Sequence, residues 1–337
     1  MRKPEAFAML DDGSAVERVI LAGGGLTMKL LSWGCVVQDL RLDGHTPPLV
    51  LGFPDFKAYM QHSAYFGATV GRFANRICEG RFAIDGVAFQ AETNPPGRHM
   101  LHGGPNGIGR RNWRFCEVSH ERAVLELLDK DGEMGFPGNC RLRATFALPG
   151  NGELAIRYEA GTDRPTLVNL AHHSYFNLAG SGDILDHGVQ INADRYLPID
   201  DEMIPTGEIA PVEASRFDFR KLRLIRLKND GGQMIYDHNF CLASARGPLR
   251  EVARAQANAS GVGMSVATTE PGMQFYAGHK INTLVPGLSG EPYRPWAGFC
   301  LEPQTWPDST NHPHFPQAVL RPGEAYVQET RYRFFWR

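Results

Sequence analysis

Polar side chains interrupt an apolar, strand-like stretch at residues 169–178. The stretch contains two histidines, two asparagines, a tyrosine and a phenylalanine. Histidine titrates nearest to neutral pH, so it is the side chain best suited to giving and taking protons. Adjacent residues of a strand point to opposite faces, so only one of His172 and His173 can face a given cleft, and Tyr175 shares the face of His173. His173 is therefore a candidate for acid–base chemistry, and the alternative is a strand histidine whose hydrogen bonds are satisfied within the protein.

A carboxylate forms the second candidate. Glu302 directly follows the apolar run Phe299-Cys300-Leu301, and a strand end beside a core does not usually carry an unpaired charge. The alternative is a carboxylate that an arginine neutralises.

Further polar side chains enter apolar runs at several separate places. Aromatic residues such as Phe275, Tyr276 and Trp306 lie close to some of them in the sequence. A neutral polyhydroxylated ligand needs many hydrogen bonds and an apolar surface on which to stack, so this set suits such a ligand. The candidates are Asn75, Arg76, His102, Asp237 and Gln274.

Other kinds of site find less support. The ligand types His102, His173, Asp237, His238 and Glu302 are present, but their spacing matches no short metal motif. No serine lies in a G-x-S-x-G elbow. The triple glycine at 23–25 lacks the Lys-Ser/Thr of a phosphate-binding loop, so a hairpin turn is favoured there.

Strand patterning dominates the chain that must position these residues. In segment 141–160, Leu142, Ala144, Phe146 and Leu148 share one face, and an equivalent alternation follows the turn Pro149-Gly150-Asn151-Gly152. Repeated period-2 patterning favours a β-sandwich or barrel.

Helical patterning is scarce. Segment 53–60 predicts one short helix with Pro54 near its start, while segment 248–262 fits a helix or a hairpin arm equally well. No linker or repeat is visible, so residues 1–337 are expected to form a single domain.

The composition excludes several classes of partner. The chain has 337 residues, is 42% hydrophobic and carries a formal net charge of -2, which gives no electrostatic reason to expect nucleic acid or an anionic membrane as a partner. No apolar run approaches the roughly 18 residues of a membrane span. The six cysteines form no C-x-x-C pair. Free thiols in a cytoplasmic protein are therefore expected.

An ordered series of motifs across most of the chain resembles the aldose 1-epimerase (galactose mutarotase) family. Two departures from the family pattern bear on substrate preference: His172 stands where many members have asparagine, and Pro303 where they often have a smaller residue. The motifs are Gly71-Arg72-Phe73-Ala74-Asn75-Arg76-Ile77, Leu101-His102-Gly103-Gly104, His173-Ser174-Tyr175-Phe176-Asn177-Leu178, Asp237-His238-Asn239-Phe240, Pro271-Gly272-Met273-Gln274-Phe275-Tyr276, Leu301-Glu302-Pro303-Gln304, Asp308, Asn311, Phe315-Pro316 and Leu320-Arg321-Pro322-Gly323-Glu324.

The resemblance implies an all-β fold, a large antiparallel β-sandwich of the galactose mutarotase-like supersandwich type with few short helices. It also implies interconversion of the α and β anomers of a free aldose, without cofactor or metal, by a monomer or homodimer whose partner is a small-molecule sugar. Glu302 would be the general base and His173 the general acid. Sugar hydroxyls would be bound by Asn75, Arg76, His102, Tyr175, Asp237 and Gln274.

The implied chemistry agrees with the side chains present. Opening the ring requires removal of the C1 hydroxyl proton and protonation of the ring oxygen, and after rotation about C1–C2 the ring closes with the two roles reversed. Each positioned proton-transfer group typically contributes about 10²–10⁴-fold. We expect His173 to be held protonated by Asp237 or Glu302 nearby.

Three other functions remain as alternatives. A hexose-6-phosphate 1-epimerase would need an additional basic cluster for the phosphate, for which Arg72, Arg76 and Arg81 are the candidates. A non-catalytic sugar-binding protein of the same fold would be expected to lose Glu302 or His173, and both are present. A metal-dependent hydrolase would be sensitive to chelators.

Overall fold

Antiparallel strands make up most of the computed structural model, which describes residues 3–229 and 232–337. In chain order the strands of this part of the chain are β1 Glu5–Met9, β2 Ala15–Gly23, β3 Leu26–Leu31, β4 Val37–Leu42, β5 Ala68–Val70, β6 Arg76–Ile77, β7 Arg81–Ile84, β8 Val87–Gln90, β9 Met100–Leu101, β10 Arg114–Val118, β11 Arg122–Asp129, β12 Cys140–Gly150, β13 Glu153–Thr162, β14 Thr166–Leu167, β15 Ala171–His173, β16 His187–Ile191, β17 Arg195–Tyr196, β18 Ala210–Pro211, β19 Arg223–Leu224, β20 Lys228–Asn229, β21 Gly232–Gln233, β22 Asp237–Cys241, β23 Arg250–Ala257, β24 Val262–Thr268, β25 Gly272–Tyr276, β26 Cys300–Gln304, β27 Val319–Leu320 and β28 Tyr326–Trp336.

Helix α1 spans Phe56–His62 and is short, as the sequence predicts, but it begins later than expected. The reason is its N-cap: the Asp55 side chain accepts a hydrogen bond from the Ala58 amide, which leaves Pro54 outside the helix. Single 3₁₀ turns occur at Cys78–Gly80, Ile108–Arg110, Glu133–Gly135 and Ser309–Asn311.

The largest sheet has nine strands in the order β10-β11-β12-β13-β28-β24-β23-β16-β19. The hairpin predicted over 141–160 is confirmed as β12 and β13, with Phe146 opposite Ile156. Segment 248–262, which the sequence left open, contains β23 and the start of β24, and these strands pair as a hairpin. The segment forms strands despite its helical propensity, because both strands pair with neighbouring strands of the large sheet.

A four-stranded sheet, β1-β2-β3-β4, and a five-stranded sheet, β18-β17-β22-β25-β26, complete the larger layers. The triple glycine provides the turn between β2 and β3, as predicted. Buried apolar side chains from all three sheets form one continuous core, which includes Leu21, Phe146, Phe275, Leu301 and Tyr332. The all-β antiparallel sandwich is therefore confirmed.

The five-stranded sheet has one apolar face and one polar face. In its register Asn239 lies opposite Gln274, which lies opposite Glu302. Residues one position away, Phe275 and Leu301, are fully buried in the core. Side chains alternate across a strand, so the apolar face of this sheet packs on the core and Asn239, Gln274 and Glu302 point to the opposite side.

Strand β15 is held beside this polar face by the large sheet. His172 of β15 lies opposite Thr69 of β5, and the Thr69 hydroxyl forms a 2.8 Å hydrogen bond with the hydroxyl of Tyr158 in β13. Strand β26 is tied to the same sheet, because the Tyr332 hydroxyl donates to the Leu301 carbonyl at 3.0 Å. In the described part of the chain, no helix has the length and apolar character needed to cross a membrane.

Candidate active site

His172 and His173 lie on opposite faces of β15, as the alternation predicts. The His172 ring packs edge-on against Phe146 and Tyr332, and its Nε2 forms a 2.8 Å hydrogen bond with the Ser174 hydroxyl. Burial lowers the pKa of His172 to about 3, with a smaller contribution from His173. His172 is therefore a neutral residue of the core.

His173 faces Glu302 across a narrow gap. The distance from His173 Nε2 to Glu302 Oε2 is 3.5 Å, and the two residues are only 4% and 2% exposed. Oε2 of Glu302 has no hydrogen-bond partner among the described residues. A buried carboxyl oxygen without a partner is costly, and here it lies where a ligand hydroxyl could reach it.

The protonation of this pair differs from the sequence-based expectation. Burial raises the pKa of Glu302 well above its usual range; Asp237 adds to the increase and Arg76 opposes it. Burial also lowers the pKa of His173 to about 4, so the expectation that His173 is held protonated is wrong. Loss of hydration outweighs attraction between the two groups, so burial disfavours the charged form of each.

Aromatic rings hold the imidazole of His173 in place. Tyr175 stacks on it with centroids 5.0 Å apart, and Tyr65 stacks at 6.0 Å. The Tyr175 hydroxyl donates to the Ala64 carbonyl at 2.8 Å, so its hydrogen is engaged by the protein and its oxygen can serve a sugar hydroxyl only as an acceptor. Sequence reasoning missed Tyr65, which lies in a loop and in none of the motifs above.

His102 contributes a donor whose tautomer is fixed by the backbone. The main-chain N–H of Asn75 donates to His102 Nδ1 at 3.1 Å. Nδ1 is therefore the acceptor, and Nε2 carries the hydrogen of the neutral ring. Burial holds the pKa of His102 well below its usual range, and His173, Arg76 and Arg110 lower it further. Its ring centroid lies 5.1 Å from that of His173. His102 therefore offers an N–H group beside the acid–base pair.

The same geometry bears on metal binding. Atoms of His102, His173 and Glu302 lie within 4.8 Å of one another, close enough to surround a metal ion. However, His102 Nδ1 already accepts the Asn75 amide hydrogen and its Nε2 carries a proton, so neither nitrogen has a lone pair free for a metal. The residues suit hydrogen bonding better than metal ligation.

The remaining predicted side chains come together on one side of the pair. Gln274 Nε2 donates to Asp237 Oδ1 at 2.7 Å. Gln274 Oε1 and Asn239 Nδ2 are buried and lack hydrogen-bond partners among the described residues. Both residues line a narrow cavity together with Asn75, Arg76 and Asp237. Asn239, which was not predicted as a site residue, was detectable because it lies two residues after Asp237 on one strand.

A second residue that the sequence did not single out, Met203, closes this cavity. Its sulfur accepts hydrogen bonds from Arg76 Nη2 and Lys280 Nζ, both at 3.4 Å. Met203 lies in the loop after β17, with a positive φ of 68°. No sequence signal indicates this contact, because it joins three separate segments.

Sequence comparison assigns the chain to a family. A sequence model of the family described as aldose 1-epimerase matches residues 17–333. The galactose mutarotase of Rattus norvegicus is 43% identical over 96% of this chain and 95% of its own length. The chain belongs to the aldose 1-epimerase family. The aldose 1-epimerase of Escherichia coli K12 is 35% identical, with 98% of each chain covered.

Solved structures of this epimerase family share the fold. An aldose epimerase homologue from C. elegans superimposes with a TM-score of 0.89 and 31% identity, covering 96% of this chain and 99% of its own. A galactose 1-epimerase from Lactobacillus acidophilus gives a TM-score of 0.84 at 28% identity, covering 99% and 98%.

Within this epimerase fold, the three arginines considered for phosphate do not form a cluster. Arg72 is fully buried and pairs with Asp129 at 2.7 Å. Arg81 is exposed and pairs with Glu79 at 2.9 Å, whereas Arg76 lies in the site cavity. The expected basic cluster for a sugar phosphate is therefore absent at these three positions.

Proposed function

We propose that this protein is an aldose 1-epimerase that interconverts the α and β anomers of free aldohexoses such as galactose or glucose. The observation that carries the proposal is the opposed, buried pair of His173 and Glu302, whose reacting atoms are 3.5 Å apart. Membership in the epimerase family supports it as well. Both groups needed for ring opening are thus available in one site.

In the proposed reaction the sugar separates the two groups. A C1 hydroxyl that donates to Glu302 stabilises the carboxylate, and a ring oxygen that accepts from His173 Nε2–H stabilises the imidazolium, so sugar binding favours the ionised pair with the proton on His173. Glu302 then removes the O1 proton while His173 protonates the ring oxygen, and the C1–O bond of the ring breaks. Rotation about C1–C2 and the reverse transfers close the other anomer.

The neighbouring side chains are proposed to bind the other hydroxyls. Gln274 Oε1 lacks a partner among the described residues and can accept a hydrogen bond, and His102 Nε2–H can donate one. Asn75, Arg76 and Asp237 line the same side of the site, where Arg76 adds a positive and Asp237 a negative charge. Tyr175 stacks on His173, and its oxygen can accept a hydrogen bond from a sugar hydroxyl.

Polarimetry on freshly dissolved α-D-galactose and α-D-glucose tests the proposal, with the wild type compared with Glu302→Gln. We expect the wild type to accelerate the approach to the equilibrium rotation, and the variant to be slower by about 10²–10⁴-fold because it lacks the base. No acceleration over buffer on any aldose would refute the proposal. Acceleration confined to hexose 6-phosphates would instead identify the phosphate-specific alternative.

We further infer that the chain acts as a single domain in the cytoplasm, as a monomer or homodimer, with a sugar as its substrate and without a cofactor. The large core joins residues from Val19 to Phe334, which supports one domain. All six cysteines are free thiols, which supports a reducing compartment. Size-exclusion chromatography with light scattering would determine the oligomeric state.

A further inference from the structure

The mechanism above uses Nε2 of His173 and leaves Nδ1 unexplained. Nδ1 lies 3.5 Å from the sulfur of Cys300. Cys300 begins β26 two residues before Glu302, so both side chains project from the same face of that strand. Cys300 is fully buried. One strand therefore presents a carboxyl group to Nε2 and a thiol to Nδ1 of the same ring.

A histidine that exchanges protons through one nitrogen depends on what its other nitrogen contacts, because that contact selects the tautomer. In this site the neighbour of Nδ1 is the sulfur of Cys300, at 3.5 Å. A thiol sulfur can accept a hydrogen bond from Nδ1–H, and this tautomer leaves the lone pair of the neutral ring on Nε2.

We propose that Cys300 is a positioning residue for the epimerase reaction: its sulfur accepts from Nδ1–H of His173 and so keeps Nε2 as the atom that exchanges a proton with the sugar. This inference rests on the proposed function. The partner is a neutral thiol, since burial raises the pKa of Cys300 well above its usual range, and Glu302 and Asp237 raise it further.

A neutral partner suits a reaction that runs in both directions. A carboxylate at Nδ1 would hold the imidazolium strongly, whereas a thiol orients the ring with little preference for its charged form. The proton can then move to His173 when sugar binds and return afterwards. Other ionisable and charged side chains also surround His173, and substitutions at Cys300 leave all of them in place. They are Glu302, His102, His172, Tyr65, Tyr175, Asp237, Arg76 and Arg110.

Three substitutions separate positioning from packing. Cys300→Ser keeps an acceptor, so we expect kcat close to that of the wild type. Cys300→Ala and Cys300→Val lack one, and we expect both to lower kcat about 10-fold with KM unchanged and an altered pH profile of kcat. Valine fills the space of the thiol, so wild-type kcat in Cys300→Val would show that the thiol only fills the core and would overturn the proposal.

Nitrogen-15 NMR of histidine-labelled protein gives a readout that does not depend on turnover. The His173 signals are identified by their loss in His173→Asn. We expect the Nδ1–H tautomer in the wild type and Cys300→Ser, and a shift toward Nε2–H in Cys300→Ala and Cys300→Val. An Nε2–H tautomer in the unliganded wild type would overturn the role of Cys300. Absence of epimerase activity beside the expected tautomers would instead refute the proposed function alone.

Discussion

Replacing Glu302 with glutamine should make the protein both less active and more stable. The carboxyl group is 2% exposed, and its Oε2 lacks a hydrogen-bond partner in the part of the chain that the structure describes. An unsatisfied buried polar group costs about 1–3 kcal/mol, and more when charged. The neutral amide removes the cost of ionisation and can donate to His173 Nε2, so we expect Glu302→Gln to raise the free energy of unfolding by about 1–3 kcal/mol near neutral pH.

The increase in the free energy of unfolding caused by Glu302→Gln should depend on pH in a defined direction. The pKa of Glu302 is raised in the folded protein, so the carboxyl group favours folding fully only below its unfolded pKa, about 4.3. Its contribution is lost as the pH rises through the folded pKa. The advantage of glutamine should therefore be small at about pH 5 and larger at about pH 8.

Thermal unfolding at the two pH values, followed by circular dichroism, measures this difference. A change of 1 kcal/mol corresponds to roughly 2–4 °C in chains of 150–250 residues, and to less in longer ones. Glu270→Gln is the matched control: Glu270 is also buried, but Arg246 contacts it at 2.5 and 3.1 Å. We expect the control to be destabilised by about 1.5–3 kcal/mol, because its charged hydrogen bonds are lost.

Two outcomes would contradict the reasoning. A Glu302→Gln variant less stable than the wild type at the higher pH would show that the carboxylate is stabilised by contacts absent from this site. Full epimerase activity in the same variant, measured by polarimetry, would show that Glu302 is not the base. A stabilised but inactive variant is the expected combination, because the site holds an ionisable group in a place that suits catalysis better than folding.

Four further predictions concern individual side chains. His173→Asn should lower kcat by about 10²–10⁴-fold with the fold retained. Because the pKa of His173 is lowered to about 4, no limb of the kcat/KM profile of the wild type should lie near the ordinary histidine value of about 6.5, and a limb there would contradict the burial of this ring. His172→Asn should leave the polarimetric kcat near that of the wild type, because His172 faces the core; a loss as large as that of His173→Asn would be inconsistent with its place. Arg72→Met should lower the free energy of unfolding by about 1–3 kcal/mol in denaturant titrations, since the buried carbonyls of Pro137 and Gly138 lose their donor, whereas Asp129 keeps its ion pair with Arg111. A change below about 1 kcal/mol would argue against a structural role.

Much of the fold could be predicted because strand alternation is a local property. The faces of the hairpin at 141–160 followed from period-2 spacing, and the same rule placed Tyr175 with His173 and away from His172. Segment 248–262 could not be assigned, because its strands are decided by pairing with β16 and β28. Secondary structure of that kind depends on partners far along the chain.

The candidate site also has some features that the sequence indicates and others that depend on contacts between distant segments. Residue types and motif order alone indicated a histidine and a glutamate as the reacting pair, since the chemistry requires an acid and a base and few side chains can serve. Only the tertiary structure brings Cys300 and Tyr65 to the ring of His173, engages the Tyr175 hydroxyl and places Met203 against Arg76.

The pKa values of the two candidate proton-transfer groups also could not be predicted from the sequence. Spacing shows that two ionisable groups can meet, but their pKa values depend on how completely the fold removes water from each. Glu302 and His173 are both almost fully buried, so desolvation rather than mutual attraction determines the direction in which each pKa is shifted. The sequence by itself determined which groups are the candidates for proton transfer, and the tertiary structure decided how their pKa values are shifted, because burial is a property of the packed chain as a whole.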